Sequence, residues 1–544
     1  MRVPVKAGLP MTDGLLQDFA TRSAEESGGA VAVAINDERL TYGELTRLAG
    51  RLAALLVDAG VEPGDRVGLL LPKLPIAVVA MHAVLEAGGV YVALDLESPA
   101  PRLARILESA QPRLILSLPQ AGDRLDAVDE LLALPPVWSL EAAPIATERV
   151  QSVLTREGWD IDADPPAVRV DPGSPAHLIF TSGSTGQPKG VVITHRGVAA
   201  AVAWGLRQFG TRPDDRVSCH APLHFDQSTA DVYATLAAGA ELHLVPPQLN
   251  LNPRALAALI RDRELTQWCS VPSLLTYMAK FDAVGEGDFP ALKRVLWGGE
   301  ALPAPVLAHW MRRLPHVSFT NLYGPTETTI TSSFYTVPRL PEDETASVPI
   351  GTACDGEELL ILDQDLRPVA DGEVGEIYIA GVGLSPGYWR DQEMTRAAFL
   401  PDPRTPDGGE RIYKTGDLAR FGADGLPHFL GRSDSQVKSR GYRIELGEIE
   451  SAFAGVAGID ECAVIGVEVG GFEGTAICAA YVAEAELDAV ALRKAIGAIV
   501  PSYMVPARWL PLEALPKNLN GKVDRLALRE QFERQRSELR KAAR

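Results

Sequence analysis

The chain has 544 residues, 46% of them hydrophobic and 23% charged, a globular balance in a chain too long for one ordinary core, so at least two domains are expected. A formal net charge of -19 argues against nonspecific binding to nucleic acid or anionic membranes, yet leaves room for ATP held by local lysines and arginines. Five cysteines, Cys219, Cys269, Cys354, Cys462 and Cys478, stand without a C-x-x-C pair, which fits a reducing cytoplasm and no zinc site.

The N-terminus carries no apolar signal core. Thr41 to Gly60 is expected to be a helix: Thr41 and Glu44 make a T-x-x-E capping box, Leu45, Leu48, Leu52 and Leu55 recur at helical spacing, and Gly60 can close it. Strands are expected at Val67 to Leu71, Val90 to Leu94 and Leu114 to Leu118, with helices at Pro75 to Ala87 and Ala100 to Ser109. His82, Glu86 and Gly88-Gly89 break the apolar stretch from Ile76 to Leu94, so it reads as buried helix plus strand and not as a membrane span. Alternating strands and helices imply a parallel sheet covered on both faces. Gln120 to Asp171 is rich in Pro and Ala with weak periodicity and reads as a variable connection.

Ile179 to Val191, IFTSGSTGQPKGV, is the most informative stretch. A β-branched or apolar run enters and leaves a loop of Thr181, Ser182, Gly183, Ser184, Thr185, Gly186, Gln187, Pro188 and Lys189. Glycines let backbone N–H groups approach oxyanions, hydroxyls add donors, and the lysine adds a mobile positive charge. The loop is built for phosphate, but Pro188 stands where a Walker-type loop requires glycine. Further on, three motifs each follow an expected strand: HFDQS at His224 to Ser228, GGEAL at Gly298 to Leu302 and YGPTETT at Tyr323 to Thr329. Ligands of open α/β sheets bind at the carboxyl ends of strands. Leu359 to Leu430 is turn-rich and suggests a β subdomain containing YKTGDLAR at Tyr413 to Arg420. Gly431 to Glu450 then opens a compact α+β domain of roughly 110 residues, a normal domain size.

In this order the motifs resemble the adenylate-forming superfamily, which includes acyl-CoA ligases and the adenylation domains of nonribosomal peptide synthetases. The resemblance covers essentially the whole chain and implies an α/β fold. A large N-terminal domain, residues 1–433, would have mixed and parallel sheets covered by helices plus a β subdomain near 350–430. A small mobile α+β domain, 434–544, would turn on a hinge at Asp434. It implies ATP and Mg²⁺ as cofactors. Tyr323 would stack on adenine, framed by Gly299, Glu300, Ala301 and Asn321. Thr326 would touch the α-phosphate, Glu327 would help hold magnesium, and Asp417 would accept from the ribose diol. Arg432 would contact the nucleotide. Gly441, with Tyr442 and Arg443, would serve the second half-reaction near an incoming thiol. Lys522, presented by the Asn520-Gly521 turn, would bridge the substrate carboxylate and the α-phosphate.

Asp226 aligns with the aspartate by which amino-acid-activating members hold the α-ammonium. A buried carboxylate is costly without a cation, and a fatty-acid pocket has no use for one. The remaining side-chain pocket would be Gln227, Ala230, Cys269, Leu296, Gly298, Leu322, Ile330 and Thr331. Leu296, Leu322 and Ile330 would fill much of it, and no opposite charge is expected there for a charged side chain. The substrate expected is therefore a small neutral L-α-amino acid, alanine first, then serine, glycine or valine. No Gly-Gly-x-Ser carrier motif occurs. The expectation is a cytoplasmic, stand-alone enzyme that loads a separate carrier protein, with no nucleic-acid or membrane partner, as in nonribosomal peptide and macrolactam polyketide pathways. SPGY at Ser385 to Tyr388 departs from the synthetase pattern, where Ala-Arg precedes Gly-Tyr. An acid–CoA ligase and an inactive nucleotide-binding protein remain as alternatives.

Overall fold

A computed structural model describes residues 14–140, 166–183, 186–340, 347–405, 408–434, 436–453, 456–469, 475–483, 487–517 and 523–542, without the side chains of 536–542. Two large sheets organise the N-terminal part. The nine-stranded sheet runs Thr352–Ala353, Ser333–Thr336, Ser318–Tyr323, Arg294–Gly298, Gln267–Ser270, Arg216–Cys219, Glu241–Leu244, Val31–Ile35 and Glu38–Thr41. Its interior pairs are parallel and its outer pairs antiparallel. The six-stranded sheet runs Val137–Ser139, Leu114–Ser117, Arg66–Leu70, Val90–Ala93, Pro175–Thr181 and Lys189–Thr194. It is parallel except for its last pair.

The expected helix is Tyr42–Asp58, and the Thr41–Glu44 capping box is present on both sides. Helix Pro75–Glu86 is buried at every residue but Glu86. A helix apolar all round belongs in the middle of a core. Its side chains join those of both sheets in one continuous cluster that includes Val33, Val67, Ile179 and Val198. Within the stretch read as a variable connection, helix Gly122–Asp129 and strand Val137–Ser139 extend the second sheet. That strand has only three residues, too few for a period-2 pattern to stand out.

A five-stranded antiparallel sheet follows: Glu357–Leu362, Gly375–Gly381, Arg411–Phe421, Phe399–Pro401 and Pro427–Arg432. The smaller C-terminal unit opens with a hairpin, Gln436–Ser439 against Tyr442–Glu445, turning on Arg440 (φ 54°) and Gly441 (φ 80°). Positive φ at both turn residues marks the mirror-image turn that suits hairpin twist. The sequence shows Arg-Gly there and not the usual Asn-Gly, so the hairpin was not legible. Strands Ile459–Glu468, Thr475–Ala483 and Arg508–Pro511 form a sheet packed by helix Leu446–Phe453 on one face and Arg525–Ala542 on the other.

Thr41→Ala removes one half of the capping box, and the expected cost is about 1 kcal/mol. A denaturant titration should show the midpoint fall with an unchanged slope.

Candidate active site

Strands Pro175–Thr181 and Lys189–Thr194 pair with Thr181 opposite Lys189, so the phosphate loop leaves and re-enters the sheet at one point. Gly183 leaves no room for a side chain: an added Cβ would lie 2.0 Å from the Gln187 carbonyl oxygen. Gly186 takes φ +82° beneath the Ser451 side chain. The Thr181 hydroxyl lines the cleft, buried and without a hydrogen-bond partner. A phosphate oxygen would satisfy such an orphan. Ser182 Oγ donates to the Arg443 carbonyl (2.8 Å) and accepts from the Glu445 N–H (3.0 Å), which ties the loop to the C-terminal hairpin. Ser184 and Thr185 lie outside the described residues.

Strand Ser318–Tyr323 leads into Gly324, Pro325 and the single turn Thr326–Thr328. Gly324 is forced: a Cβ there would lie 2.6 Å from the Ile330 carbonyl oxygen. Glu327 is fully buried. Its Oε1 accepts from the Tyr388 hydroxyl (2.8 Å) and lies 3.3 Å from Lys189 Nζ. Its Oε2 accepts from Arg443 (2.5 Å). Burial alone would raise the Glu327 pKa, but the charges of Arg443 and Lys189, with the hydrogen bonds from Arg443 and Tyr388, hold it well below the usual carboxylate range. Lys189, over the Tyr388 ring at 4.9 Å, has its own pKa lowered, by burial first and then by Arg443.

One ionised carboxylate beside a hydroxyl-lined loop suits Mg²⁺, which takes one or two carboxylates and draws other ligands from phosphate and water. No group of three or more His, Cys, Asp or Glu able to hold a metal occurs among the described residues. Glu327 is the ionised carboxylate at the loop that could contribute to such a site once Arg443 releases it.

Tyr323 donates its hydroxyl to Asp417 Oδ2 (2.7 Å), and Arg432 donates to Asp417 Oδ1 (2.6 Å). Arg432 also grips Asp434 through two bonds, of 2.8 and 2.6 Å. Burial would lower the Arg432 pKa, but Asp434 and Asp417 raise it above the ordinary value. Asp434 is thus locked to the residue two before it. Gly299, with φ +88°, opens the cleft beside this group, while Ala301 is exposed and Asn321 donates to the Pro349 carbonyl (2.8 Å). Glu300 turns towards the hairpin and accepts from the Gly441 N–H (2.8 Å).

Asp226 is the first residue of helix Asp226–Ala237 and lines the same cleft. Its Oδ2 accepts from the Thr326 hydroxyl (2.6 Å). Burial raises its pKa, opposed by the bonds from Thr326 and Gln227 and reinforced by the charge of Glu327. Of the residues named for the side-chain pocket, Gln227, Ala230, Leu296, Leu322, Ile330 and Thr331 line one cavity. Cys269 joins from behind, accepting from Gln227 Nε2 at 3.0 Å. Gly298 is required by close packing, since a Cβ would lie 2.9 Å from the Leu322 carbonyl oxygen. Ile330 sits at φ 77°, a strained setting for a β-branched residue.

The sequence reading left an acid out of this pocket. Asp231, 3% exposed, lines it, its pKa raised well above the carboxylate range by burial. Trp204 also forms a wall. Asp231 stands five residues after Asp226, on a helix whose apolar pattern gave it no mark. The third omission is Tyr388. It ends the SPGY motif that departs from the synthetase pattern, and its contact with Glu327 was not foreseen.

The C-terminal unit closes the cleft. Gly441 presses on Val271, so that a Cβ would lie 2.4 Å from Val271 Cγ1. Tyr442 packs edge-on to Phe225 (5.2 Å between centroids) and stacks on Tyr503 (3.7 Å). Arg102 and Glu448, 4% and 1% exposed, form a buried ion pair across the junction. Lys522, with the Asn520-Gly521 turn, lies outside the described residues.

A parallel α/β body with a hydroxyl-rich loop, a buried carboxylate beside it and a small domain seated over both is the architecture of adenylate-forming enzymes. The chain belongs to the AMP-binding enzyme family: the AMP-binding enzyme model matches residues 20–389, and the AMP-binding enzyme C-terminal domain matches 448–522. It is 38% identical over 95% of its length to the phosphinothricin tripeptide synthetase PhsC of Streptomyces viridochromogenes, of which it covers 44%. The chain spans less than half the length of the first curated relatives it matches. Among solved structures it resembles IdnL1 (31% identity, TM-score 0.75, covering 92% of this chain and 98% of that one). It also resembles holo-PA1221, an NRPS protein containing adenylation and PCP domains (27% identity, TM-score 0.78, covering 95% and 84%). Among the described residues no helix is long and apolar enough to cross a membrane.

Behind the pocket, Glu357 accepts from the Gly383 N–H (2.7 Å), and Gly383 accepts from Thr329 (2.6 Å), next to the strained Ile330. Burial raises the Glu357 pKa to about 8. The folded state therefore binds this proton more tightly than the unfolded chain, so its contribution to stability falls as pH rises from about 4.5 to 8. Glu357→Gln should gain thermal stability over the wild type at pH 9 and lose that advantage towards pH 4.5. Melting curves across that range check it.

Proposed function

We propose that the chain activates a small neutral L-α-amino acid with ATP as an aminoacyl-AMP, alanine first, then serine, glycine or valine. The aminoacyl group then passes to the phosphopantetheine thiol of a carrier protein in natural-product biosynthesis. The observation that carries the amino-acid reading is Asp226: a half-buried acid lining the cleft, one hydrogen bond from Thr326. The substrate ammonium supplies the cation that this carboxylate lacks. Apart from Asp231, the pocket is walled by neutral groups, among them Trp204, Ala230, Leu296, Leu322 and Ile330, which suits an uncharged side chain. The adenylation and PCP domains of PA1221 support a carrier thiol as acceptor.

In the first step a substrate carboxylate oxygen bonds to the α-phosphorus and the bond to pyrophosphate breaks. No proton need move. Tyr323, Asp417 and Arg432 hold the nucleoside end, and the Thr181 hydroxyl and loop amides hold phosphate. Lys522 is proposed to bring a positive charge to the two reacting anions. Magnesium held by Glu327 would neutralise charge on the phosphates. Glu327 cannot serve Arg443 and a metal at once, so the seated hairpin belongs with the second step. There the thiol sulfur attacks the acyl carbon, AMP leaves with the bonding pair, and the thiol proton passes to the departing phosphate or to water. Rotation about Asp434 exchanges the two arrangements.

Amino-acid-dependent pyrophosphate exchange across the twenty amino acids should peak on alanine or another small neutral one; a peak on an aromatic or charged residue defeats the pocket reading. Asp226→Ala should lower kcat/KM for alanine by about 10²–10³, the cost of losing one partner of a buried charge pair. Discharge of the adenylate by a holo-carrier but not by CoA alone separates this reading from an acid–CoA ligase.

A further inference from the structure

Lys73 follows strand Arg66–Leu70 in the six-stranded sheet, yet its side chain crosses to the nine-stranded one. It is 9% exposed. Its Nζ donates to three successive carbonyls, those of Cys219 (3.2 Å), His220 (2.7 Å) and Ala221 (3.4 Å). An ammonium has three protons and no acceptor, so the three carbonyls use its full donor capacity. These carbonyls end strand Arg216–Cys219 and begin the loop that delivers Asp226 five residues after Ala221. The loop's far end is pinned separately, by the Ser228 hydroxyl on the Phe225 carbonyl (2.7 Å). Asp231, five residues after Asp226 on the same helix, is near enough for its charge and that of Lys73 to interact, while burial raises its own pKa.

We infer that Lys73 is a positioning residue for amine recognition: it anchors the Cys219–Ala221 carbonyls so that the Asp226 carboxylate meets the substrate ammonium. This rests on the amino-acid reading above. Among the described residues Lys73 makes no hydrogen bond or ion pair to the phosphate loop or to Tyr323, Asp417 and Arg432, so its loss should be felt by the amine and not by ATP.

The test is pyrophosphate exchange by Lys73→Met and Lys73→Arg, with alanine, with propionate as the analogue lacking the amine, and with ATP varied separately. Lys73→Met should raise KM for alanine roughly 10–100-fold, lower the preference for alanine over propionate by a similar factor and leave KM for ATP within about twofold. Lys73→Arg, which keeps charge and donors, should recover most of the loss. A melting curve on each variant reports folding. If Lys73→Met does not fold, the same KM and preference measurements on Lys73→Arg and Lys73→Gln decide: arginine must stay near the wild type and glutamine must lose preference. An unchanged alanine-to-propionate ratio, or equal rises in both KM values, overturns the inference while leaving the amino-acid reading intact. A wild type that exchanges with propionate as well as with any amino acid overturns both.

Discussion

Glu327 is the constraint on which the cleft turns. It is fully buried and ionised, and every oxygen it offers is taken, by Lys189 and Tyr388 on one side and Arg443 on the other. A buried carboxylate so placed must always have cations around it. The identity of those cations can change while their presence cannot. Lys189 comes from the phosphate loop and Arg443 from the C-terminal hairpin, so one side chain senses both walls of the cleft. Tyr388 contributes no charge but fixes the orientation of the carboxylate.

Asp226 is governed by the opposite deficit. Its nearest donor is the neutral Thr326 hydroxyl, and its pKa is raised where that of Glu327 is lowered. The two acids stand in one cleft, and each raises the cost of ionising the other. A ligand that brings an ammonium to Asp226 lowers that cost and frees Thr326 to turn towards a phosphate. Under the proposed function, substrate amine and nucleotide would be coupled through this single hydroxyl.

The strands and helices that build the cleft were legible because each is long, periodic and punctuated: the capping box at Thr41, the β-branched runs on either side of the phosphate loop, the glycines at Gly183 and Gly324. The site residues that strand ends present were legible for the same reason. Local sequence has no means of showing contacts between residues far apart in the chain. The pairing of Arg443 with Glu327 spans 116 positions and that of Arg102 with Glu448 spans 346. Asp231 and Lys73 escaped notice because a lone acid on a helix and a lone lysine before one are normally solvated, and only the packing of two sheets buries them. The hairpin at Arg440-Gly441 escaped because glycine alone meets half of its turn requirement.

The seating of the C-terminal unit uses groups that the first reaction step would also need. Ser182 of the phosphate loop is committed to the hairpin backbone, Glu327 to Arg443 and Glu300 to Gly441. Were the same groups to serve phosphate, metal and adenine, the hairpin would have to leave first. Its departure is less costly than the count of contacts suggests, because Arg102 and Glu448 regain hydration when they part, and that hydration offsets much of the lost attraction. The stacked Tyr442 and Tyr503 belong to the same unit and travel together, so their contact is kept. What must be replaced is chiefly the positive charge beside Glu327. A cleft whose closure is held by a replaceable cation can be opened by supplying another, which is how a charged nucleotide complex could drive the small domain away without any dedicated lever.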